Sequence, residues 1–306
     1  MSVIPEAFTL HVPDSDITDL EARLERTRYP DQAPNTPWAY GTDLAYIQTL
    51  VEHWRTDFDW RTQEKLLNSF PQFKVDLHGI GLHYLNVPGN GPDPKPLLLM
   101  HGWPGSVFEF TDLIPRLTDP VRFGGDAEDA FTVVAPSLPG FGLSFQPGQK
   151  RFSIPDIADC FADLMVDVLG HRRFAAQGGD WGAFTCSALG VRHPEKIACI
   201  HLNMLSIKPN AVPDQKATPE ERRYAEEIAV WAKEETGYIQ IQGTRPQTLA
   251  YALTDSPAGL AAWIAEKFHV WSDHQGDFET VINRDQLLAN ISLYWFSRAI
   301  GSSFWP

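Results

Sequence analysis

Within these 306 residues, the stretch Gly178-Gly179-Asp180-Trp181-Gly182 is the one best suited to chemistry. A strand-like run at 173–177 leads into it, and a small-residue helical pattern at 183–189 leads out. Gly-x-nucleophile-x-Gly between a strand and a helix lets the backbone turn sharply and lifts the central side chain out over a sheet. A carboxylate in that position attacks saturated carbon, such as an epoxide or an alkyl halide, and leaves an ester behind. An aspartate just before a helical run also serves as an ordinary helix cap. The pentapeptide alone leaves both readings open.

Composition narrows what the site can serve. The chain is 43% hydrophobic and 21% charged with 10 Trp, which is globular composition. A formal net charge of -14 argues against a nucleic-acid partner, because phosphate contacts need clustered Lys and Arg. No apolar run approaches the roughly 18–20 residues that span a bilayer, so no membrane partner is expected. The first residues, Met1-Ser2-Val3-Ile4-Pro5-Glu6, lack the basic and apolar regions of a signal peptide. Cys160, Cys186 and Cys199 are odd in number and read as buried thiols of a reducing compartment, so a cytoplasmic protein is expected.

The elements that must position Asp180 follow from periodicity. Residues 1–72 read as a helical extension: Ile17, Leu20 and Leu24 share one face behind an Asp14 or Ser15 cap, and Leu44, Ile47, Val51 and Trp54 share another. From residue 73 to 204 the pattern is α/β. A hairpin turns at Gly79-Ile80-Gly81, and short apolar runs at 96–100, 131–135 and 197–202 read as strands buried on both faces. Ser153-Ile154-Pro155-Asp156 opens a helix that Gly170 stops. Strands alternating with helices imply a parallel sheet covered on both faces, with ligands at the carboxyl ends of the strands. Both the Asp180 turn and His101-Gly102-Trp103-Pro104 lie at such ends, which favours the nucleophile over the cap. His101 itself reads as a support for its loop. Residues 205–306 read as a helical lid that opens with a Thr218-Pro219-Glu220-Glu221 capping box, with Ala225, Ile228, Ala229 and Ala232 on an inner face. Ser256 caps a further helix, while Glu234 and Glu235, being adjacent on a helix, point apart.

Taken together, the motifs resemble the epoxide hydrolases of the α/β-hydrolase fold, in the microsomal-type branch with an N-terminal helical extension. The resemblance runs from about Phe8 to the last residues. It rests on Tyr40-Gly41-Thr42, Phe58-Asp59-Trp60-Arg61, His101-Gly102-Trp103-Pro104-Gly105-Ser106, Gly140-Phe141-Gly142-Leu143-Ser144, the Asp180 pentapeptide and Asn290-Ile291-Ser292-Leu293-Tyr294-Trp295. It implies Asp180 as nucleophile, the backbone N–H groups of Trp103 and Trp181 as oxyanion hole, and Tyr238 and Tyr294 as lid acids that protonate the epoxide oxygen. A phenol fits that task because it stays neutral at pH 7. The resemblance further implies a small-molecule epoxide as partner, no metal or other cofactor, a soluble form with a role in epoxide detoxification, and an arrangement that admits a homodimer.

The family pattern also calls for a return from the lid to the core, supplying a second acid and a water-activating histidine near the C-terminus. No histidine follows His274, and the sheet would stop at 197–202 with an open edge. The sequence is therefore expected to be a C-terminally truncated member, with its last core strands missing, able to form the ester but not to turn over. Two other readings stand beside this one. A haloalkane-type dehalogenase would also use Asp-Trp in such a turn, although a halide needs no proton from Tyr238 or Tyr294. A non-catalytic fragment is the third.

Overall fold

The computed structural model describes residues 4–34, 36–205 and 217–306. Residues 1–3 at the N-terminus, residue 35 of the early connector, and 206–216 at the start of the expected lid lie outside the described residues.

The chain opens with a two-residue strand, β1 (Glu6–Ala7), and the helices α1 (Asp14–Glu25), α2 (Leu44–Thr56) and α3 (Trp60–Leu67). Asp43 caps α2 by accepting the Tyr46 N–H, and Asp59 caps α3 by accepting the Arg61 N–H. In contrast, α1 begins after Pro13 with no side-chain cap, so neither Asp14 nor Ser15 plays the expected part. The hairpin β2 (Gln72–Leu77) and β3 (Ile80–Val87) turns through His78 and Gly79, both at positive φ. There follow β4 (Lys95–Met100), α4 (Leu113–Thr118), β5 (Phe131–Pro136), α5 (Ile154–Asp163), β6 (Phe174–Gly178), α6 (Trp181–Arg192) and β7 (Ile197–Leu202). Helices α7 (Pro219–Glu235), α8 (Gly237–Thr244), α9 (Pro246–Asp255), α10 (Pro257–Trp271) and α11 (Arg284–Ser297) complete the order.

The strands form one sheet in the order β1-β2-β3-β5-β4-β6-β7. The expected parallel arrangement holds for β5, β4, β6 and β7, whereas β1, β2 and β3 run antiparallel, so the sheet is mixed. Alternation along β4 builds two cores. Leu98 and Met100 pack with Phe161 of α5 and Cys186 of α6, while Leu97 and Leu99 pack with Trp60 of α3 and Ile114 of α4. In register, Met100 at the end of β4 is the partner of Gly178 at the end of β6. That pairing sets the two loops with chemistry side by side.

Two expectations are corrected here. The 197–202 run is a strand, but Ala198, Cys199, Ile200 and His201 are exposed. An apolar run fixes a strand and not its neighbours: among the described residues β7 is paired only with β6, which leaves its far side open and the Cys199 thiol exposed. Likewise α7 has its Thr218/Glu221 capping box, but none of its residues is buried, and Ala229 and Ala232 are exposed. Ala, Glu, Arg and Lys form a helix on propensity and caps without needing cover. Helices α10 and α11 behave otherwise. Their Leu260, Ile264, Leu287 and Ile291 belong to the main core, and Trp54 of α2 donates its indole N–H to Ser292 Oγ of α11 at 3.0 Å.

Candidate active site

The turn between β6 and α6 is strained in the way the pentapeptide requires. Asp180 sits at φ 48° and ψ -122°, a region that residues with a side chain rarely adopt. Such strain persists only where the surroundings enforce it. Here the backbone at Gly178 runs against that of Gly182, and Gly182 runs against the Met100 carbonyl, so a Cβ at either position would collide. The Asp180 side chain makes no capping bond to α6. It turns instead onto the neighbouring loop, where Oδ1 accepts the Trp103 N–H at 2.7 Å. The half-buried carboxyl is pushed up by desolvation, while the N–H groups of Trp103 and Trp181 hold it down.

The loop after β4 is gripped from several sides, which leaves the Trp103 N–H free to aim at Asp180. Asn290 of α11 donates its amide to the Pro104 carbonyl at 2.7 Å, and the Tyr294 hydroxyl donates to the Gly105 carbonyl at 2.8 Å. The Leu138 N–H donates to His101 Nε2 at 3.1 Å, so the ring proton lies on Nδ1, which bonds the Gly102 carbonyl at 3.0 Å. His101 is thus the loop support the sequence indicated, and burial lowers it to about 4, keeping it neutral.

Tyr238, on α8, comes to the same place from the lid side. Its ring stacks on Trp103, with centroids 5.4 Å apart and planes at 9°, and Trp271 of α10 meets it edge-on at 5.2 Å. The buried Lys267 places Nζ 4.8 Å from the Tyr238 ring centroid and pairs with Glu266 at 2.6 Å. Burial, with smaller pushes from Asp180 and Glu235, raises the Tyr238 phenol to about 12, so it keeps its proton at neutral pH. Tyr294 differs. It is buried with its hydroxyl committed to Gly105, and burial holds its phenol well above the ordinary range. The structure therefore brings Asp180, Trp103, Trp181 and Tyr238 together, and sets Tyr294 against the loop as a brace.

Sequence reasoning missed Glu109. It lies on the single turn after the loop, packed so closely that a Cβ on Gly105 would collide with its carboxyl. The residue is exposed on one side but crowded by protein on the other. That crowding, and then the Asp180 charge, push its carboxyl up to about 8, a push that water on its open side moderates. The signal was present as Ser106-Val107-Phe108-Glu109, a capping-box spacing of which the structure keeps the serine's half, Ser106 Oγ accepting the Phe108 N–H at 3.3 Å. Lys267 carried no such signal, since a lysine in a helix reads as a solvated face.

Comparison with known proteins gives a consistent picture. Residues 5–110 match the family "Epoxide hydrolase N terminus" and residues 95–255 match "alpha/beta hydrolase fold". A Stigmatella aurantiaca protein carrying the epoxide hydrolase name is 47% identical over 296 residues, covering 97% of this chain and 67% of its own length. Epoxide hydrolase 1 of Oryctolagus cuniculus is 36% identical over 321 residues, covering 97% of this chain and 70% of its own. Among solved structures, the Aspergillus niger epoxide hydrolase superposes with a TM-score of 0.86 at 29% identity, covering 99% of this chain and 78% of that one. The juvenile hormone epoxide hydrolase of Bombyx mori superposes with a TM-score of 0.83 at 30% identity, covering 99% and 74%. Among the described residues, no helix is long and apolar enough to cross a membrane.

Proposed function

The chain belongs to the epoxide hydrolase family of the α/β-hydrolase fold, and from that membership we propose that it opens epoxides through an ester on Asp180 to give vicinal diols. Oδ1 is held by the Trp103 N–H, so Oδ2 is the oxygen left to attack the less hindered epoxide carbon. The carbon–oxygen bond of the ring breaks, and the alkoxide takes a proton from the Tyr238 hydroxyl, leaving a phenolate. Hydrolysis then adds water at the ester carbonyl, and the proton that hydrolysis releases restores the Tyr238 hydroxyl. Oδ1, already on the Trp103 N–H, becomes the oxyanion of the tetrahedral intermediate, and each such donor contributes about 3 kcal/mol. Collapse returns the Asp180 carboxylate and releases the diol.

The observation that carries this reading is the strained Asp180 with its carboxyl on the Trp103 N–H, beneath a tyrosine that stacks on the same Trp103. That tyrosine also favours an epoxide over a haloalkane, whose leaving halide needs no acid. The test is rapid-quench mass spectrometry with styrene oxide. The expected result is a gain of one epoxide mass on the peptide carrying Asp180, absent in Asp180→Asn. Halide release from a chloroalkane, with epoxides untouched, would overturn it.

A further inference from the structure

Lys267 is buried on α10, where the other buried side chains, such as Leu260, Ala261 and Ile264, are all apolar. An ammonium taken out of water needs partners, and a well-packed apolar side chain in its place is often as stable or more so. Its ion pair is with Glu266 at 2.6 Å, the preceding residue on the helix, where neighbours normally point apart. The helix also sets it between two rings. The Trp271 ring, four residues further along the same face, has its centroid 5.5 Å from Nζ, and the Tyr238 centroid is 4.8 Å away. Both lie within the roughly 6 Å over which a ring face attracts a cation. Trp271 meets Tyr238 edge-on as well, so it holds both the tyrosine and the cation that faces it. The charged groups facing Tyr238 are Asp180 of the β6–α6 turn, Glu235 at the end of α7 and Lys267 of α10. Glu266, paired with Lys267, also faces His269. Of the three that face the tyrosine, the lysine is the cation.

We propose that Lys267 is a positioning residue for the acid, its ammonium stabilising the phenolate that Tyr238 becomes on giving up its proton. This rests on the epoxide-opening reading above. In that step Oδ2 bonds the epoxide carbon, the ring carbon–oxygen bond breaks, and the proton passes from the Tyr238 hydroxyl to the alkoxide. Charge is conserved: as the Asp180 carboxylate becomes a neutral ester, its negative charge reappears on the phenolate, beside the ammonium. A neutral ring attracts a cation only through its quadrupole. A phenolate spreads a full charge over that ring, so the attraction grows as the proton leaves. An interaction that is stronger in the transition state than in the resting protein accelerates the step instead of only tightening binding. Burial strengthens it further, because little water lies near the ammonium to screen the pair. Glu266 offsets part of the attraction, and its carboxylate keeps the ammonium from standing unpaired while Tyr238 is neutral. When ester hydrolysis returns a proton to the phenolate, the starting state is restored.

Two measurements test this. The first needs no epoxide: difluorotyrosine, whose phenol ionises near neutral pH, is placed at position 238 and its titration is followed by fluorine NMR. With Lys267→Met, which keeps an apolar stem, the midpoint should rise by about one unit, as expected when an opposite charge within about 4–6 Å is lost. Lys267→Arg keeps the charge and should hold the midpoint near its native value, which a role in packing alone would not require. An unchanged midpoint in Lys267→Met overturns the proposal, and so does an equal rise in both variants. The second measurement is the rate of stoichiometric adduct formation with styrene oxide. Lys267→Met should slow it by about 3–10-fold, the worth of one unit in the strength of a general acid. The same substitution should slow Tyr238→Phe no further, because without the phenol there is no phenolate to stabilise. Equal slowing in the two backgrounds would make the lysine a structural residue and overturn the proposal as well. If no adduct forms in the native protein, it is the epoxide reading that fails, and the titration still decides whether Lys267 stabilises the Tyr238 anion.

Discussion

At the scale of the residue, the two tyrosines with family motifs separate by what holds them. Tyr238 is stacked on Trp103 beside Asp180, while the Tyr294 hydroxyl is bound to the Gly105 carbonyl. Removing the first should remove the acid, and removing the second should loosen a loop. Tyr238→Phe is expected to slow adduct formation with styrene oxide by about 10²–10⁴-fold, the usual worth of a general acid, with unfolding unchanged. Tyr294→Phe leaves a buried carbonyl unpaired and should cost on the order of 1–3 kcal/mol of stability in urea unfolding, with the smaller effect on adduct rate. The opposite pattern would make Tyr294 the acid. A motif identifies a residue type and a spacing, and so both tyrosines read alike in the sequence. What separates them is a hydrogen bond across 189 positions of chain. Asp180 was legible because its glycines, its strand and its helix are all local to it.

Elements were legible where their signals are local and illegible where their partners decide. The capping boxes at Ser153 and Thr218 formed as written, because a cap is settled within four residues. The open side of β7 and the exposure of α7 depend on what lies beside them, which no window of sequence contains. The turn between β6 and α6 combines both kinds of information, and two glycines on α6 show the contrast. Gly182 abuts the Met100 carbonyl of β4, which is backbone and cannot yield, whereas Gly190 meets only the Cδ1 tip of the Ile200 side chain. Gly182→Ala should therefore cost about 1–3 kcal/mol, the usual range for overpacking, and should also displace the turn and suppress adduct formation. Gly190→Ala can be absorbed by a rotation of Ile200 and should be near neutral in both measurements. Equal losses from the two substitutions would mean that α6 does not approach β4 as closely as the register implies.

For the whole molecule, buried histidines link the fold to pH. His83 on β3 bonds Ser137 at 3.0 Å and Gln72 at 2.9 Å, tying β2 and β3 to the loop after β5, and His101 ties that same loop to the Trp103 turn. Both rings are fully enclosed, and burial lowers them to about 3 and about 4. The sign follows from linkage: the unfolded chain binds protons at these histidines below about 6.5, while the native state does not until far lower. Their neutral burial is therefore without penalty above about pH 6.5, and stability is lost as pH falls from there toward the native values. Each histidine should withdraw about 2 kcal/mol between about pH 7 and pH 5. A charged His101 also cannot accept the Leu138 N–H, so its protonation undoes the brace behind the oxyanion loop. Urea unfolding at a series of pH values should show this slope, and His83→Gln should reduce it by about one proton, after allowance for its own destabilisation at neutral pH. An unchanged slope in both His83→Gln and His101→Gln would mean that the two rings take up protons in the native state over the same pH range as in the unfolded chain, so that their burial does not hold them neutral.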